Sequence, residues 1–362
     1  MLGRMTVNRK LEVVSDSLTR RVWRIPKAGS LARLALVEEP LSPPGAGEVQ
    51  VDVRAVGVNF ADVFACLGLY SATPKGSFVP GLECAGHIRR VGAGVSGWRE
   101  GDAVIVLTRF GGYASQLNVD ARTLWPVPQG WSLEEAAAYP VQALTAWYGL
   151  VPLGAAKAGT VALVQSAAGG VGLQALHALR RLQAHPVAVV GSATKRDWLI
   201  ERFGLNPAAV VVRSPSLADD LDIALTHYGR RGFDLIFDAV YGDGFRIAFD
   251  RLAPEGRYVL YGAADFMNTG KRPNLLKLAW HYLRRPRLDP LAMIPLNRGL
   301  LAFNLIWLWE QASRLPESMR ATLELIPEKP HLGATFPFER AHDALEAIQS
   351  GRTTGKLILR VP

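Results

Sequence analysis

Thr160–Gly172 reads TVALVQSAAGGVG, and it runs straight into LQALHALRRLQ (Leu173–Gln183). A strand apolar at nearly every position is buried on both faces, as in a parallel sheet. The glycine-rich turn that follows it, opening a helix, predicts a strand–turn–helix unit. Downstream the texture repeats. Strand-like PVAVVGS (Pro186–Ser192) precedes a helix over Lys195–Phe203, and AAVVV (Ala208–Val212) precedes one over Leu217–His227. FDLIFDAV (Phe233–Val240) precedes a helix over Phe245–Leu252, and RYVLYG (Arg257–Gly262) closes the series. Apolar strands alternating with helices give an α/β, doubly wound parallel sheet covered on both faces, expected over 144–289.

The turn has the spacing S-x-x-G-x-x-G, with an extra glycine at 170. Ser166 as a small first residue allows the tight turn. Gly169 lets the backbone of Ala168, Gly170 and Val171 approach a pyrophosphate, and Gly172 lets the helix pack on the sheet. Phosphate would sit on the helix N-terminus, where free N–H groups and the dipole favour anions. The competing reading is a glycine turn without a ligand. A site preferring NADH would carry Asp or Glu at the end of the second strand. Here Gly191-Ser192-Ala193-Thr194 stand there, followed by Lys195 and Arg196. The hydroxyls of Ser192 and Thr194 and the two cations suit a 2′-phosphate and so point to NADPH; the alternative is a solvated helix start.

Upstream, EVQVDVRAVGV (Glu48–Val58) alternates with period two. Short runs such as AVIVLT (Ala103–Thr108) and GGYASQLNV (Gly111–Val119) follow between turns. These predict a β-barrel-like module over 20–143, completed by 290–362, whose tail ends in the strand-like LILRV. A chain of 362 residues accommodates two such domains. Two cysteines, Cys66 and Cys84, exclude a disulfide framework and suit a reducing cytoplasm. The first residues lack the apolar core of a signal peptide. Ala136–Ala156 and Ala158–Leu179 are charge-free and long enough to span a bilayer, but Pro and Gly interrupt both. The formal charge of +9 finds no nucleic-acid motif to support it, so no nucleic-acid partner is expected. The seven histidines show no metal-ligand spacing, and no G-x-S-x-G elbow occurs. Gly351-Arg-Thr-Thr-Gly355-Lys356 mimics a P-loop but is one residue short and runs into a strand.

Further segments carry a family resemblance: VGVNFADVFACLGLY (Val56–Tyr70), VPGLECAGHIRRVGAGV (Val79–Val95), GDAV, FGGYA, PVQALTAWYGL, SAAGGVG, YGAA and GRTTGKLIL. Together they resemble the medium-chain dehydrogenase/reductase superfamily, most closely its zinc-free quinone oxidoreductase branch and the vesicle amine transport protein-like subgroup. The resemblance implies a GroES-like catalytic domain and a Rossmann nucleotide-binding domain. It implies no metal, because Asn59, Leu82 and Val141 stand where zinc relatives carry ligands. Asn59, Thr145, Gly262 and Phe303 would line the nicotinamide end. Phe64 replaces the first of two cleft tyrosines and Tyr70 matches the second; Arg213 would stand beside the adenosine phosphate.

The implied activity is hydride transfer from NADPH to a quinone or an α,β-unsaturated carbonyl, with Tyr70 or Asn59 bonding the carbonyl oxygen. Asn59 as a turn cap and Tyr70 as a packed loop aromatic are the competing readings; Asp62 and Glu83 are expected to form a buried supporting network. A different class of function rests on KRPNLLKLAWHYLRRPRL (Lys271–Leu288), a basic, aromatic-bearing segment suited to weak peripheral membrane contact. Finally, LLAFNLIWLW (Leu300–Trp309) is too apolar to face water along its length, and the doubly wound sheet ends in edges that must be covered; a homodimer is expected, the competing reading being a monomer that covers the edge with its own Leu275–Leu283 helix.

Overall fold

The computed structural model describes residues 18–266 and 270–362; the N-terminal stretch in which no signal peptide was read lies outside the described residues, apart from its last few positions. The first domain opens with a two-stranded ribbon of β1 (Leu18–Arg24) and β2 (Ala35–Leu41). Next come β3 (Glu48–Val58), helix α1 (Phe60–Cys66), β4 (Glu83–Val91), β5 (Ala103–Leu107), β6 (Gln116–Asp120) and β7 (Leu124–Pro126). Two helices, α2 (Leu133–Ala137) and α3 (Pro140–Tyr148), lead into the second domain.

There the order is β8 (Val161–Val164), α4 (Gly170–Arg181), β9 (His185–Val190), α5 (Ala193–Phe203), β10 (Val210–Val212) and α6 (Leu217–His227). Then follow β11 (Phe233–Asp238), α7 (Gly244–Phe249), β12 (Leu252–Leu260), α8 (Leu275–Arg284), α9 (Pro290–Met293) and β13 (Gly299–Ala302). The chain closes with α10 (Leu315–Leu325), β14 (Leu332–Pro337), α11 (Ala341–Gln349) and β15 (Lys356–Arg360).

Strands β8–β13 form one all-parallel sheet in the order β10-β9-β8-β11-β12-β13. This is the doubly wound order 3-2-1-4-5-6, whose ligand crevice opens at the carboxyl ends of the strands where the order reverses, between β8 and β11. The other sheet runs β14-β15-β3-β4-β5-β7, with β6 on the far flank of β3. Its C-terminal members are long-range: β15 pairs antiparallel with β3, bringing Ile358 opposite Gly57.

The expected end of the parallel domain at 289 is too early. β13 pairs with β12 in parallel register, Leu300 opposite Tyr258, because a sixth strand covers the apolar edge that β12 would otherwise leave. The expected boundary between Ala143 and Leu144 falls inside α3. That helix belongs to a core continuous across both domains, from Ala55 and Ile105 of the antiparallel sheet to Val164 and Leu173 of the parallel one. Among the described residues no helix is long and apolar enough to cross a membrane.

Candidate functional site

Between the two sheets lies a cleft of about 760 Å³, floored by the glycine turn. Ser166 takes a left-handed backbone, φ 54°, and Ala167 N–H donates to Val189 O, pinning the turn to the sheet. Gly169 caps α4 without a side chain, which leaves the first N–H groups of that helix for a ligand. A Cβ on Gly172 would stand 2.6 Å from the Ala167 backbone, so that glycine serves helix–strand packing as its spacing suggests. A Cβ on Gly170 would stand 2.0 Å from Gln142 Oε1. The extra glycine therefore makes room for a side chain of α3. Gln142 Oε1 is buried in the cleft wall without a hydrogen-bond partner, an acceptor suited to a ligand hydroxyl or amide.

The segment that mimics a P-loop has a different use. Gly355 N–H donates to Ala168 O at 2.9 Å, and Gly351, Thr353 and Gly355 line the cleft. The C-terminal lobe thus clamps the glycine turn. It also meets Lys195, whose ammonium donates to Gly351 O at 2.6 Å.

Lys195 and Arg213 both line the cleft. Burial, and then Arg213 nearby, hold the Lys195 ammonium below its ordinary range. A half-buried Lys195 beside an exposed Arg213 is an anion-binding arrangement. Arg196, expected beside Lys195, points elsewhere. Its guanidinium donates to Val210 O at 3.0 Å and Pro207 O at 3.2 Å, because neighbouring residues on a helix face about 100° apart. Ser192 and Thr194 are also corrected. Ser192 Oγ caps α5 by accepting from Lys195 N–H, Thr194 is exposed, and neither lines the cleft.

At the inner end, Asn59, Tyr70, Thr145, Gly262 and Phe303 come together as the resemblance implies. Thr145 Oγ1 donates to Val141 O at 2.6 Å. Gly262 is packed so that a Cβ would stand 2.6 Å from Ala239 O, and the Phe303 ring is edge-on to Tyr148. Asn59 precedes α1, and its amide is committed inward. Nδ2 donates to Glu83 Oε1 at 2.8 Å and Gly57 O at 3.3 Å, while Oδ1 accepts from Lys356 Nζ at 2.7 Å. Both donors being spent, Asn59 can only accept, which corrects the expectation that it donates to a substrate carbonyl.

Glu83 completes the group by accepting from Val141 N–H at 2.8 Å and pairing with Lys356, both side chains fully buried. Lys356 and Gln142 stand in segments that carry the family resemblance, but nothing local singles them out, because the partners that give them a role lie far away along the chain. Tyr70 Oη donates to Asn304 Oδ1 at 2.7 Å, across the cleft. Burial pushes the Tyr70 phenol up to about 12, so near neutral pH it holds its proton and acts as a donor.

Asp62, behind Asn59, accepts from Asn59 N–H at 2.8 Å and Tyr113 Oη at 3.1 Å. Burial, the largest influence, pushes its carboxyl from 3.8 up to about 7. The folded chain therefore keeps a proton that the unfolded chain releases, and stability falls as pH rises through that window. Relative to Asp62→Asn, the wild type should lose about 2 kcal/mol between about pH 5.5 and about pH 7. Urea unfolding of both proteins across the window measures this, and parallel pH profiles would refute it.

The three positions compared with zinc relatives, Asn59, Leu82 and Val141, all line the cleft. Among the described residues, no three His, Cys, Asp or Glu side chains are grouped so as to hold a metal ion.

Two family models match the chain, "Alcohol dehydrogenase GroES-like domain" over residues 45–129 and "Zinc-binding dehydrogenase" over 208–359. The human synaptic vesicle membrane protein VAT-1 homolog is 31% identical over 336 residues, covering 91% of this chain and 84% of that protein. Bovine quinone oxidoreductase-like protein 2 is 32% identical over 350 residues, covering 94% and 93%. Among solved structures, the quinone oxidoreductase of Thermus thermophilus, described also in complex with NADPH, superposes with a TM-score of 0.73 at 28% identity. It covers 94% of this chain and 99% of that one. With the two-sheet architecture and the glycine-floored cleft, these matches place the chain in the medium-chain dehydrogenase/reductase superfamily, alongside VAT-1 homologues and quinone oxidoreductase-like proteins.

Proposed function

We propose that the protein is a zinc-independent, NADPH-dependent oxidoreductase acting on a quinone or an α,β-unsaturated carbonyl. One observation carries the reading: a single cleft joins the glycine turn, the Lys195–Arg213 pair and the half-buried phenol of Tyr70. The names of the bovine and Thermus relatives, and the NADPH complex of the latter, support it.

NADPH, when bound, supplies a hydride at its nicotinamide. The chain's own residues do the rest. The α4 N-terminus and the glycine backbone would hold the pyrophosphate, Lys195 and Arg213 the 2′-phosphate, and Gln142 and Asn59 would accept from hydroxyl or amide groups. Phe64, Leu69, Leu82, Leu107 and Phe303 form an apolar wall that keeps water away from the transfer. Tyr70 turns its O–H from Asn304 to the substrate oxygen and stabilises the negative charge that develops there. With Asn59, Leu82 and Val141 at the positions where zinc relatives carry ligands, the substrate must bring its own electron sink, which favours quinones and enones over simple alcohols.

The free edge of β13, with Leu300 partly exposed, is where a second copy would extend the sheet into a twofold homodimer.

The test follows NADPH oxidation by purified protein, in the presence of a chelator, against a panel of quinones and enones. Turnover is expected, and Tyr70→Phe should lower kcat by about a hundredfold. No turnover on the whole panel, or activity lost to chelator and restored by zinc, would overturn the proposal.

A further inference from the structure

Asn304 stands just beyond β13, at the carboxyl end of the parallel sheet, where the crevice of this topology opens. Phe303 N–H donates to Leu260 O at 3.0 Å, which carries the strand pairing up to its neighbour. The Asn304 side chain then closes an Asx turn. Ile306 N–H donates to its Oδ1 at 3.4 Å, and Trp307 N–H donates to its main-chain O at 3.1 Å. From the opposite wall Tyr70 Oη donates to the same Oδ1 at 2.7 Å. A backbone N–H can only donate, and a turned-over amide would set two donors against each other there, so the oxygen end is fixed. The free end is Nδ2. It lines the cleft and gives its protons to no acceptor among the described residues.

Other polar side chains at this end commit their protons inside the protein. Thr145 Oγ1 donates to Val141 O, Thr108 Oγ1 to Phe110 O, and Asn59 Nδ2 to Glu83 and Gly57. Phe64, Leu69, Leu82 and Leu107 supply an apolar background. Nδ2 shares a carbon with the oxygen that Tyr70 touches, so the phenol and the amide are close enough to meet on one ligand oxygen. The cost of that exchange is small. When the phenol leaves Asn304 Oδ1, the Ile306 N–H remains on it, and no acceptor is orphaned. Arg109, exposed over the Trp307 ring at 5.4 Å, acts on the Tyr70 phenol against the effect of burial. Positive potential therefore reaches the same end of the cleft.

We propose that Asn304 Nδ2 and Tyr70 Oη form a two-donor oxyanion site, which makes Asn304 a second catalytic residue and selects substrates that present one carbonyl oxygen on an apolar, conjugated frame. Asn304 has this catalytic role only on the reductase reading above; its affinity for an oxyanion follows from the geometry alone. In that reaction, hydride arriving on the conjugated system drives an electron pair onto the carbonyl oxygen. Both donors strengthen their hydrogen bonds to it and keep their protons, and water supplies the proton that completes the reduction.

The first measurement needs no turnover. 4-Nitrophenol, whose phenolate is a stable oxyanion that absorbs where the neutral phenol does not, is titrated into the full chain across a pH series. NADP+ is present to occupy the anion site at Lys195 and Arg213. An apolar cleft without donors would prefer the neutral phenol, so tighter binding of the phenolate is the expected sign of the site. Asn304→Leu should weaken the phenolate about tenfold to hundredfold and leave the neutral phenol nearly unchanged. Asn304→Asp keeps both contacts of Oδ1 and replaces only Nδ2, so it should weaken the phenolate at least as much. Thermal unfolding at the wild-type temperature would show both variants folded. The second measurement is turnover of a quinone or enone, in which kcat should fall about tenfold to hundredfold in both variants while KM for NADPH stays unchanged. Three results would overturn the proposal: a phenolate bound no better than the phenol, equal phenolate binding by the wild type and both variants, or a loss confined to NADPH affinity, which would assign Nδ2 to the cofactor. Wild-type turnover matched by Asn304→Leu would remove the catalytic role and leave the reductase reading standing. A wild type that reduces nothing yet binds the phenolate through Asn304 would do the reverse, removing the reductase reading and confirming the oxyanion site.

Discussion

Replacing Lys356 by methionine should cost the fold about 3–5 kcal/mol, the price of an uncompensated buried charge. Lys356 and Glu83 are both fully buried and paired, and they tie together parts of the chain far apart in sequence. Glu83 opens β4, Lys356 opens β15, Asn59 precedes α1, and Val141 N–H comes from the first turn of α3. Methionine keeps much of the length and apolar volume but leaves the carboxylate with only neutral donors, and it leaves Asn59 Oδ1 without its partner. Glu83→Gln added to Lys356→Met should restore part of the loss, because the charge mismatch goes with the carboxylate even though hydrogen bonds remain unmade. Urea unfolding of the single and double variants checks this. A loss within about 1 kcal/mol for Lys356→Met would mean the pair contributes no more than a surface ion pair does.

The same network marks where the sequence stopped being readable. The parallel domain was legible because its signals are local: apolar strands, a glycine turn and helical periodicity lie within a few residues of one another. Lys356 meets Asn59 across 297 positions and Tyr70 meets Asn304 across 234, and no local pattern encodes such pairs. Residue type alone misled at Asn59. An amide in a cleft motif suggests a donor to substrate, and only the finished hydrogen-bond network shows both donors in use. The end of the parallel domain was misplaced for a related reason. After Asp289 the texture turns irregular and apolar, which hides the four-residue strand β13 that finishes the sheet. The basic segment Lys271–Leu288 is plain from its composition, but its surroundings come only with the packed chain, in which no residue of α8 is buried. Its orientation, apolar side outward, is a property of the packed chain.

Lys195→Ala and Arg213→Ala should each weaken NADPH binding about tenfold to hundredfold while leaving NADH nearly unchanged, and Arg196→Ala should do neither. A charge-assisted contact to phosphate contributes about 1.5–3 kcal/mol, and only NADPH carries the 2′-phosphate. Both cations line the cleft near the end of β9, with Arg213 N–H anchored to Val190 O at 2.8 Å. For Lys195 the effect should sit toward the lower end, because its ammonium must exchange the Gly351 carbonyl for the phosphate. Arg213 gives up less: its guanidinium holds Gln165 Oε1 at 3.4 Å, a long bond. The double variant should lose more than either single one, up to the sum if the two contacts act independently. Arg196 is the internal control, since its guanidinium is turned to the Val210 and Pro207 carbonyls. Calorimetry with both cofactors on the wild type and each variant separates the cases. Equal losses for NADPH and NADH would place Lys195 and Arg213 outside any 2′-phosphate contact. A selective loss in Arg196→Ala would mean that α5 presents a different face to the nucleotide.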